Sequence, residues 1–320
     1  MTEDDPLRHA APGQRWAVRR RLPDGRATDV VGWLDVLAPE HLHLSTADGL
    51  VHVVERADVL LARRAPAAAG GPPPERTSPD ELERHALKGW LALHEPLGEW
   101  TLRAGGGFTG RANSCLAVGD PGVPVAEAAQ RIQEFAARNG IEPRAQVVRG
   151  SEPEQALCGL GWVDGYVPTD VLAVRLADFL GTTAPSLRVR VTEDLEVPWW
   201  NAYAESRPND ADPSLLRLIL AGHPPRAFAS AGDPDTPFAI GRGHLSGTWL
   251  GYAALWTRPE RRREGWANAV MVALGHWAAR RGARYAYLQV ASANQEAQLA
   301  YERLGFRRHH GYLYLVPPPG

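Results

Sequence analysis

The sequence is poor in several features that would assign it to a common class. Its only cysteines are Cys115 and Cys158, too few for a disulfide framework or a thiolate metal site. We therefore expect a reducing, cytoplasmic setting and no bound metal. No apolar run approaches the roughly eighteen residues of a membrane helix, and the acidic N-terminus has no apolar signal segment. A membrane role is not expected.

The chain also lacks an excess of charge of either sign. It carries 35 basic and 37 acidic residues, a net charge of −2, which argues against a general nucleic-acid binder. Lysine is almost absent, since Lys88 is the single example. Arginine suits phosphate recognition, but a GC-rich coding bias would produce the same excess. Arginine abundance alone therefore predicts no site.

The first part of the chain has the pattern of short strands separated by turns. Five such strands within residues 13–64 predict a small β-barrel. Residues 1–12 are expected to be disordered. The Pro-, Gly- and Ala-rich segment 65–78 is typical of a linker.

From residue 79 onward, strands alternate with helices, which predicts an α/β fold with a mixed central sheet flanked by helices. Aligning Leu160-Gly161-Trp162 with Leu304-Gly305-Phe306 brings the preceding helices and strands into register. Chance is the competing explanation for so short a match. We favour a duplication, with tandem halves at 79–185 and 186–320.

One stretch, ERRREGWANAV at residues 260–270, lies between a predicted strand ending at Thr257 and a predicted helix. A helix N-terminus offers unpaired N–H groups and a positive dipole end to an anion. Gly265 permits close approach of a phosphate, and Ala267 leaves the first turn unobstructed. Arg262-Arg263 adds fork-shaped donors. The alternative is a solvated basic turn.

The residues Arg262-Arg263-Glu264-Gly265-Trp266-Ala267 fit the signature (Gln/Arg)-x-x-Gly-x-(Gly/Ala). Downstream, LQVASANQEAQLAYERLGF at 288–306 fits a pattern of strand, Asn, helix, Tyr and Leu-Gly-Phe. In both motifs, and in their order, the chain resembles the GCN-five-related N-acetyltransferases, the GNAT superfamily. The resemblance covers residues 250–310 closely. It implies a GNAT fold and acetyl-CoA, or another short acyl-CoA, as co-substrate.

The resemblance also implies roles for particular residues. Backbone amides from Arg262 to Ala267 would hold the coenzyme A pyrophosphate. The backbone of Leu255, Trp256 and Thr257 would pair with the pantetheine arm, at an edge left by two splayed parallel strands. Asn294 would contact the amide arm, and Tyr301 would act as general acid toward the departing thiolate.

Each of the last two residues has a structural alternative. Asn294 could cap a helix, and Ser292 with Gln295 could form a capping box there. Tyr301 could be a core aromatic. We favour the functional role for both, because they are seven residues apart and share one helical face.

The general base and the acceptor site are less sharply defined. The predicted central strands contain no carboxylate, which leaves His244 and, through a water, Glu205 as candidates; an ordinary strand histidine is the alternative for His244. Trp199, Trp200 and Tyr203 lie in the acidic segment 192–212, which could attract a cationic amine. An amphipathic helix with buried tryptophans is the alternative there.

The first half departs from the pattern. It has Gly150 where the second half has Asn294, and Leu157 where the second has Tyr301. Residues 79–185 are thus expected to be a degenerate half that scaffolds the fold or helps to wall the acceptor pocket. Residues 13–64 resemble the Src-homology-like barrels attached to some actinobacterial GNAT proteins, and we expect a packing or dimer-contact role.

The leading functional hypothesis is an N-acetyltransferase in which a primary amine of a small molecule or protein attacks the thioester directly. The alternative is a non-catalytic acyl-CoA-binding sensor or interaction protein. A nucleic-acid-binding module is disfavoured by the near-neutral charge. The sequence leaves open the amine, the acyl-chain length and the oligomeric state, a homo-oligomer included.

Overall fold

The computed structural model describes residues 5–8, 10, 15–46, 51–65, 73–90, 93–181, 187–209, 211–222 and 224–318. Residues 66–72, half of the expected linker, lie outside the described residues, as do residues 1–4, 9 and 11–12 of the segment expected to be disordered. Within that segment, Leu7 is described and is 1% exposed. Its side chain belongs to the core of the N-terminal sheet.

The N-terminal sheet is antiparallel and has five strands. β1 (Arg15–Arg21), β2 (Ala27–Leu37), β3 (His41–Ser45), β4 (Val51–Glu55) and β5 (Val59–Arg64) pair in the order β4-β3-β2-β1-β5. Alternate side chains face one side of a strand. Here those of Trp16, Val18, Val30, Leu34, Leu42, Leu44 and Val54 form a core with Leu7, which lies in a turn before β1. In the described part of this segment no pairing joins β4 to β5. The sheet is open, and the closed barrel expected over 13–64 is not confirmed.

The next segment supplies six strands and four helices. The strands are β6 (Leu93–Leu97), β7 (Trp100–Ala104), β8 (Cys115–Ala117), β9 (Ala145–Val148), β10 (Val163–Asp164) and β11 (Thr169–Arg175). The helices are α1 (Pro79–Leu87), α2 (Val125–Arg138), α3 (Glu152–Gly159) and α4 (Leu176–Gly181). A short 3-10 turn, Lys88–Trp90, follows α1.

The last segment contains the elements of the second half. Its strands are β12 (Val189–Thr192), β13 (Arg226–Gly232), β14 (Pro237–Ser246), β15 (Trp249–Thr257), β16 (Tyr285–Ala291) and β17 (Arg307–Val316). Its helices are α5 (Val197–Ser206), α6 (Pro213–Ala221), α7 (Trp266–Arg280) and α8 (Gln295–Arg303). Among all helices described, none is both long enough and apolar enough to cross a membrane.

All strands described after β5 join one twelve-stranded mixed sheet, in the order β12-β13-β14-β15-β16-β11-β17-β9-β8-β7-β6, with β10 beside β17. The two parallel pairs are β15 with β16 and β8 with β9. The parallel pair β15–β16 is followed in the sheet by β11, and the parallel pair β8–β9 is followed by β17. This correspondence accords with a duplication. The halves exchange strands, however: β11 lies antiparallel between β16 and β17, and β17 pairs with β9 on its other side.

Both faces of the sheet are covered near β15. Leu250, Tyr252, Ala286 and Leu288 pack with α7 on one side, which we call the α7 face. On the other side Ile240 packs with Trp199 and Tyr203 of α5, and Trp249, Tyr285 and Tyr287 pack with Leu82 and Ala86 of α1. We call this side the α5 face. It is covered jointly by helices of both halves.

The exchanged strands predict that the second half does not fold alone. A fragment of residues 187–318 should lack a cooperative thermal transition by circular dichroism, because β16 and β17 would both lose β11. Adding residues 73–181 in trans should restore one transition. The control fragment 73–318, without the N-terminal sheet, should melt cooperatively. Cooperative melting of 187–318 alone would show that β11 is dispensable.

Candidate active site

The two central parallel strands diverge partway along β15. Their pairing runs from Trp249 opposite Tyr285 to Tyr252 opposite Leu288. In residues 253–257, the described partner of β15 is β14 alone, whereas β16 continues beside β11. One edge of β15 therefore presents unpaired backbone groups to the gap. An extended ligand can bind such an edge as an added strand.

A β-bulge lies at this edge. Ile240 is opposite Trp256 and Arg242 is opposite Ala253, so β15 contains one residue more than β14 between the two pairs. Ala254 in the bulge has φ 52°, a left-handed conformation that costs an L-residue about 1–2 kcal/mol. Bulges redirect backbone groups locally. This one alters the direction of the edge where the gap opens.

The loop after β15 ends in an exposed helix N-terminus. A 3-10 turn, Pro259–Arg261, leads to Arg263 and Gly265, whose φ values are 64° and 88°. Gly265 is the N-cap of α7 and provides no side-chain cap. Within this fully described loop, the N–H groups of residues 263–268 donate to no protein acceptor. The loop therefore has the donors and the dipole end that an anion requires.

The side chains of the loop leave two cations available. Glu264 accepts a hydrogen bond from Trp266 Nε1 at 2.9 Å and lies 3.6 Å from Arg261. Arg262 and Arg263 are exposed, and neither forms an ion pair with a described residue. Both remain free to pair with an anion held by the loop amides.

Two buried polar atoms flank this loop without a partner: Thr257 Oγ1 at the end of β15 and Asn268 Oδ1 in the first turn of α7. Buried polar atoms are normally hydrogen-bonded, so both are candidates to contact a ligand in the gap. Sequence reasoning missed Asn268. Its position in the first turn of the predicted helix was the available signal.

Helix α8 places the two predicted residues of the second motif. Asn294, not Ser292, is the N-cap, and its Oδ1 accepts from Ala297 N at 3.1 Å. Asn294 is exposed, and its amide nitrogen is not used in the cap. The ring of Tyr301 contacts Phe306 edge-on at 6.2 Å. The Tyr301 hydroxyl bonds to no residue that the structure describes, and burial raises its pKa.

The two candidate bases have different surroundings. His244 is 3% exposed, on the α5 face, with Nε2 3.0 Å from Tyr287 Oη. Burial, reinforced by the neighbouring Arg242, lowers the pKa of His244 to about 3, so its ring is neutral at pH 7. Glu205 accepts two hydrogen bonds from Arg258, at 2.7 and 2.9 Å. That pair ties the end of α5 to the start of the loop.

The aromatic residues expected at the acceptor site lie in the core of the α5 face. Trp199, Trp200 and Tyr203 are 2%, 8% and 2% exposed, and the Trp199 indole N–H donates to Gly241 O at 3.1 Å. The rings of Trp199 and Tyr203 stack at 5.4 Å. They form the floor behind Ala253, Ala254 and Trp256 of the gap.

Four carboxylates of this segment have partners within the protein. Glu193 pairs with Arg281 at 2.6 Å, Glu196 pairs with Arg190, and Glu205 pairs with Arg258. Asp212 caps α6 through Ser214 N at 2.8 Å. The acidic field expected over 192–212 is thus largely neutralised by arginines and a helix end.

A model of the family described as "Probable histone acetyltransferase Rv0428c C-terminal" matches residues 80–315, well over half of the chain. The chain belongs to this family of GNAT acetyltransferases. A GCN5-related N-acetyltransferase from Kribbella flavida matches with 19% identity and a TM-score of 0.56, over 75% of this chain and 96% of that one. A tandem GNAT protein from the clavulanic acid biosynthesis pathway matches with 12% identity and a TM-score of 0.50, over 63% and 74%. The structural matches support the fold; a search of curated proteins found no match.

The loop between β8 and α2, which the expected duplication aligns with 262–267, is internally filled. Glu99 Oε2 accepts from Asp120 N at 2.7 Å, and a Cβ on Gly119 would lie 2.2 Å from the same oxygen. The N-cap of α2 is Pro124, which has no N–H. Leu157, the counterpart of Tyr301, is fully buried. A carboxylate therefore occupies the place where the second half leaves free amides.

Gly265→Glu should abolish acetyl-CoA binding. A Cβ at this position meets no protein atom within 4 Å, so the added carboxylate would project into the loop's anion site. Gly25→Glu is the matched control, since Gly25 has φ 82° and equally open surroundings in the N-terminal sheet. Both variants carry the same backbone strain of about 1–2 kcal/mol. Calorimetry should detect binding in the control only; equal affinities would show that the loop is a solvated turn.

The buried His244 predicts acid sensitivity. The pKa of about 3 in the folded protein lies below the ordinary histidine pKa of 6.5. Between these values the unfolded chain binds the extra proton, so stability falls as pH falls. The resulting loss in the free energy of unfolding should reach about 2 kcal/mol at pH 5. Denaturant unfolding from pH 7 to 4 should show a shallower pH slope in His244→Gln, and an unchanged slope in His276→Gln on the surface of α7. Identical slopes in wild type and His244→Gln would contradict this assignment.

Proposed function

We propose that this protein transfers an acetyl group from acetyl-CoA, or another short acyl group from its CoA thioester, to a primary amine. One observation carries the proposal. β15 and β16 diverge beyond Tyr252 and Leu288, and the unpaired edge of β15 leads directly into a loop whose N–H groups at 263–268 have no protein acceptor. Strand edge and helix end together match an amide-containing arm followed by a diphosphate.

The backbone supplies most of the co-substrate contacts in this proposal. The edge at Leu255, Trp256 and Thr257 pairs with the pantetheine amides. Of the expected range 262–267, the free amides of residues 263–267 hold the pyrophosphate together with the dipole of α7, since the Arg262 N–H donates to Pro259 O. The side chains of Arg262 and Arg263 add charge. Thr257 Oγ1 and Asn268 Oδ1 would gain the hydrogen-bond partners that they lack. Asn294 offers its unused amide N–H₂ group to the arm.

The chemistry requires a neutral amine. Its lone pair attacks the thioester carbonyl carbon, negative charge develops on the oxygen, and the C–S bond then breaks. The departing thiolate takes a proton from the Tyr301 hydroxyl, which burial keeps protonated at neutral pH. The amine loses a proton to a base, for which His244 and Glu205 remain the candidates. Each of them also makes a structural contact, His244 with Tyr287 and Glu205 with Arg258.

The acceptor is proposed to be a small molecule or a protein. The description of the matched family, a probable histone acetyltransferase, favours a protein amine as one class. The gap is bordered on the α5 face by elements of both halves, so the degenerate half would help to shape the acceptor site.

Within the described residues, no group of His, Cys, Asp and Glu is arranged to hold a metal ion.

Tyr301→Phe should leave acetyl-CoA affinity within about twofold of wild type and reduce turnover by about 10²-fold or more. The ring and its contact with Phe306 are retained, so only the proton donor is lost. Tyr166→Phe is the control, because that hydroxyl bonds to Glu142 on the surface. Thiol release measures turnover and calorimetry measures affinity. Unchanged turnover would remove Tyr301 from the mechanism.

Calorimetric titration with acetyl-CoA, followed by thiol release with a panel of primary amines, tests the function itself. Binding with amine-dependent thiol release is the expected result. Binding without release to any amine would favour the alternative, a non-catalytic acyl-CoA sensor. Absence of binding would refute the proposal.

A further inference from the structure

A buried cation on the α5 face lacks a counter-ion. Arg242 is 0% exposed, and its Nε donates to Leu220 O at the end of α6, at 2.7 Å. Its two terminal nitrogens are buried and have no hydrogen-bond partner. An uncompensated buried charge is energetically expensive. Burial accordingly lowers the pKa of Arg242 to about 10.

A second guanidinium contacts the same indole as the first. The Cζ atoms of Arg242 and Arg111 are 5.3 and 5.5 Å from the ring centre of Trp90. Arg111 Nε donates to Tyr312 Oη at 3.1 Å. Neither arginine forms an ion pair with any carboxylate that the structure describes. The two cations share one indole, which offers a π face to each but no negative charge.

The buried carboxylate of this region is already saturated. Glu83 accepts from Gln146 Nε2 at 2.6 Å through one oxygen and contacts His310 Nε2 at 2.9 Å through the other. The acidic side chains near α5 pair with other arginines or cap α6, as described above. The charge of Glu83 acts on Arg111 from nearby, but no described carboxylate forms an ion pair with Arg111 or Arg242.

The position of Arg242 connects it to the gap. Arg242 is directly opposite Ala253, which is the first residue of β15 beyond its last pair with β16. Its side chain shares the α5 face with His244, which is opposite Gly251. The guanidinium thus lies one strand away from the place where the strands diverge, on the face that Trp199 and Tyr203 cover.

We propose that Arg242 and Arg111, which both contact Trp90, form an anion subsite for the acceptor, and that the acceptor is an amine that also carries a carboxylate. This rests on the proposed function and specifies its substrate class. The planar guanidinium fork matches a carboxylate, and the ligand's negative charge would offset the buried cations. An acceptor of this kind differs from the purely cationic amine that the acidic segment 192–212 suggests.

The test compares amines that differ only in the acid group. Glycine, 3-aminopropanoate, 4-aminobutanoate and 6-aminohexanoate are titrated by calorimetry, each beside its carboxamide, with the protein free and loaded with CoA. The best carboxylate should bind at least about tenfold more tightly than its amide, as expected for a charge-assisted contact. Thiol release from acetyl-CoA should show the same preference in kcat/KM.

Single-residue variants test which arginine is responsible for the preference for a carboxylate over an amide. Arg111→Met and Arg242→Met should each reduce the carboxylate-to-amide ratio about tenfold, and Arg242→Lys should restore part of it. Arg281→Met is the control, because Arg281 stacks on Trp277 at 5.1 Å on the opposite face and should leave the ratio unchanged. If Arg242→Met does not fold, the half-buried Arg111 decides the question.

Two outcomes would overturn the inference: wild type binding both members of every pair equally, or a ratio that persists in Arg111→Met. Failure of the proposed function gives a different result, since wild type would then not bind acetyl-CoA. Carboxylate binding to the free protein would still decide the anion subsite in that case.

Discussion

The pairing of β16 with β11 is the constraint on which the site depends. β11 contacts β16 along seven consecutive pairs, from Thr169–Ala291 to Arg175–Tyr285, whereas β15 contacts β16 along only four. β16 is therefore held on the side away from the gap and cannot follow β15 beyond Tyr252. Because β11 lies within residues 79–185, that segment keeps open the gap between two strands of the segment that follows it. The contribution of this segment to the gap is geometric.

Local sequence patterns predicted the parts of the site that are themselves local. The strand, the loop and the helix around Gly265 follow one another in the chain, and each has a signal within a few residues. The exchange of β11 and the burial of Leu7 were not predictable in this way. Both depend on which distant strand lies alongside. An alternating apolar pattern predicts that a strand has a buried face, but it does not identify the neighbouring strand. The open edge between β4 and β5 is a similar case, since strand count alone does not determine closure.

Charge was the least reliable guide for the same reason. The acidic segment around α5 suggested a site for a cationic amine, yet Glu205 finds its partner Arg258 53 residues away. The fold thereby pairs most of these acids with other groups and leaves Arg111 and Arg242 on the α5 face without an ion pair to a described carboxylate. A count of charges within one segment of sequence misses the ion pairs that the fold forms between distant segments. Burial decides which of the remaining charges matter, because an exposed arginine is hydrated and a buried one is not.

Backbone strain marks the site more sharply than composition does. Among described residues, Ala254 and Arg263 are the two that are not glycine and yet have a left-handed φ; one lies in the bulge and the other in the anion loop. Each conformation costs about 1–2 kcal/mol, and such strain persists where the surrounding structure enforces it. At Ala254 the enforcing element is β14, which pairs with β15 on both sides of the bulge. An alanine held in this way loses less chain entropy on folding than a glycine would, so the edge that faces the gap is strained but rigid.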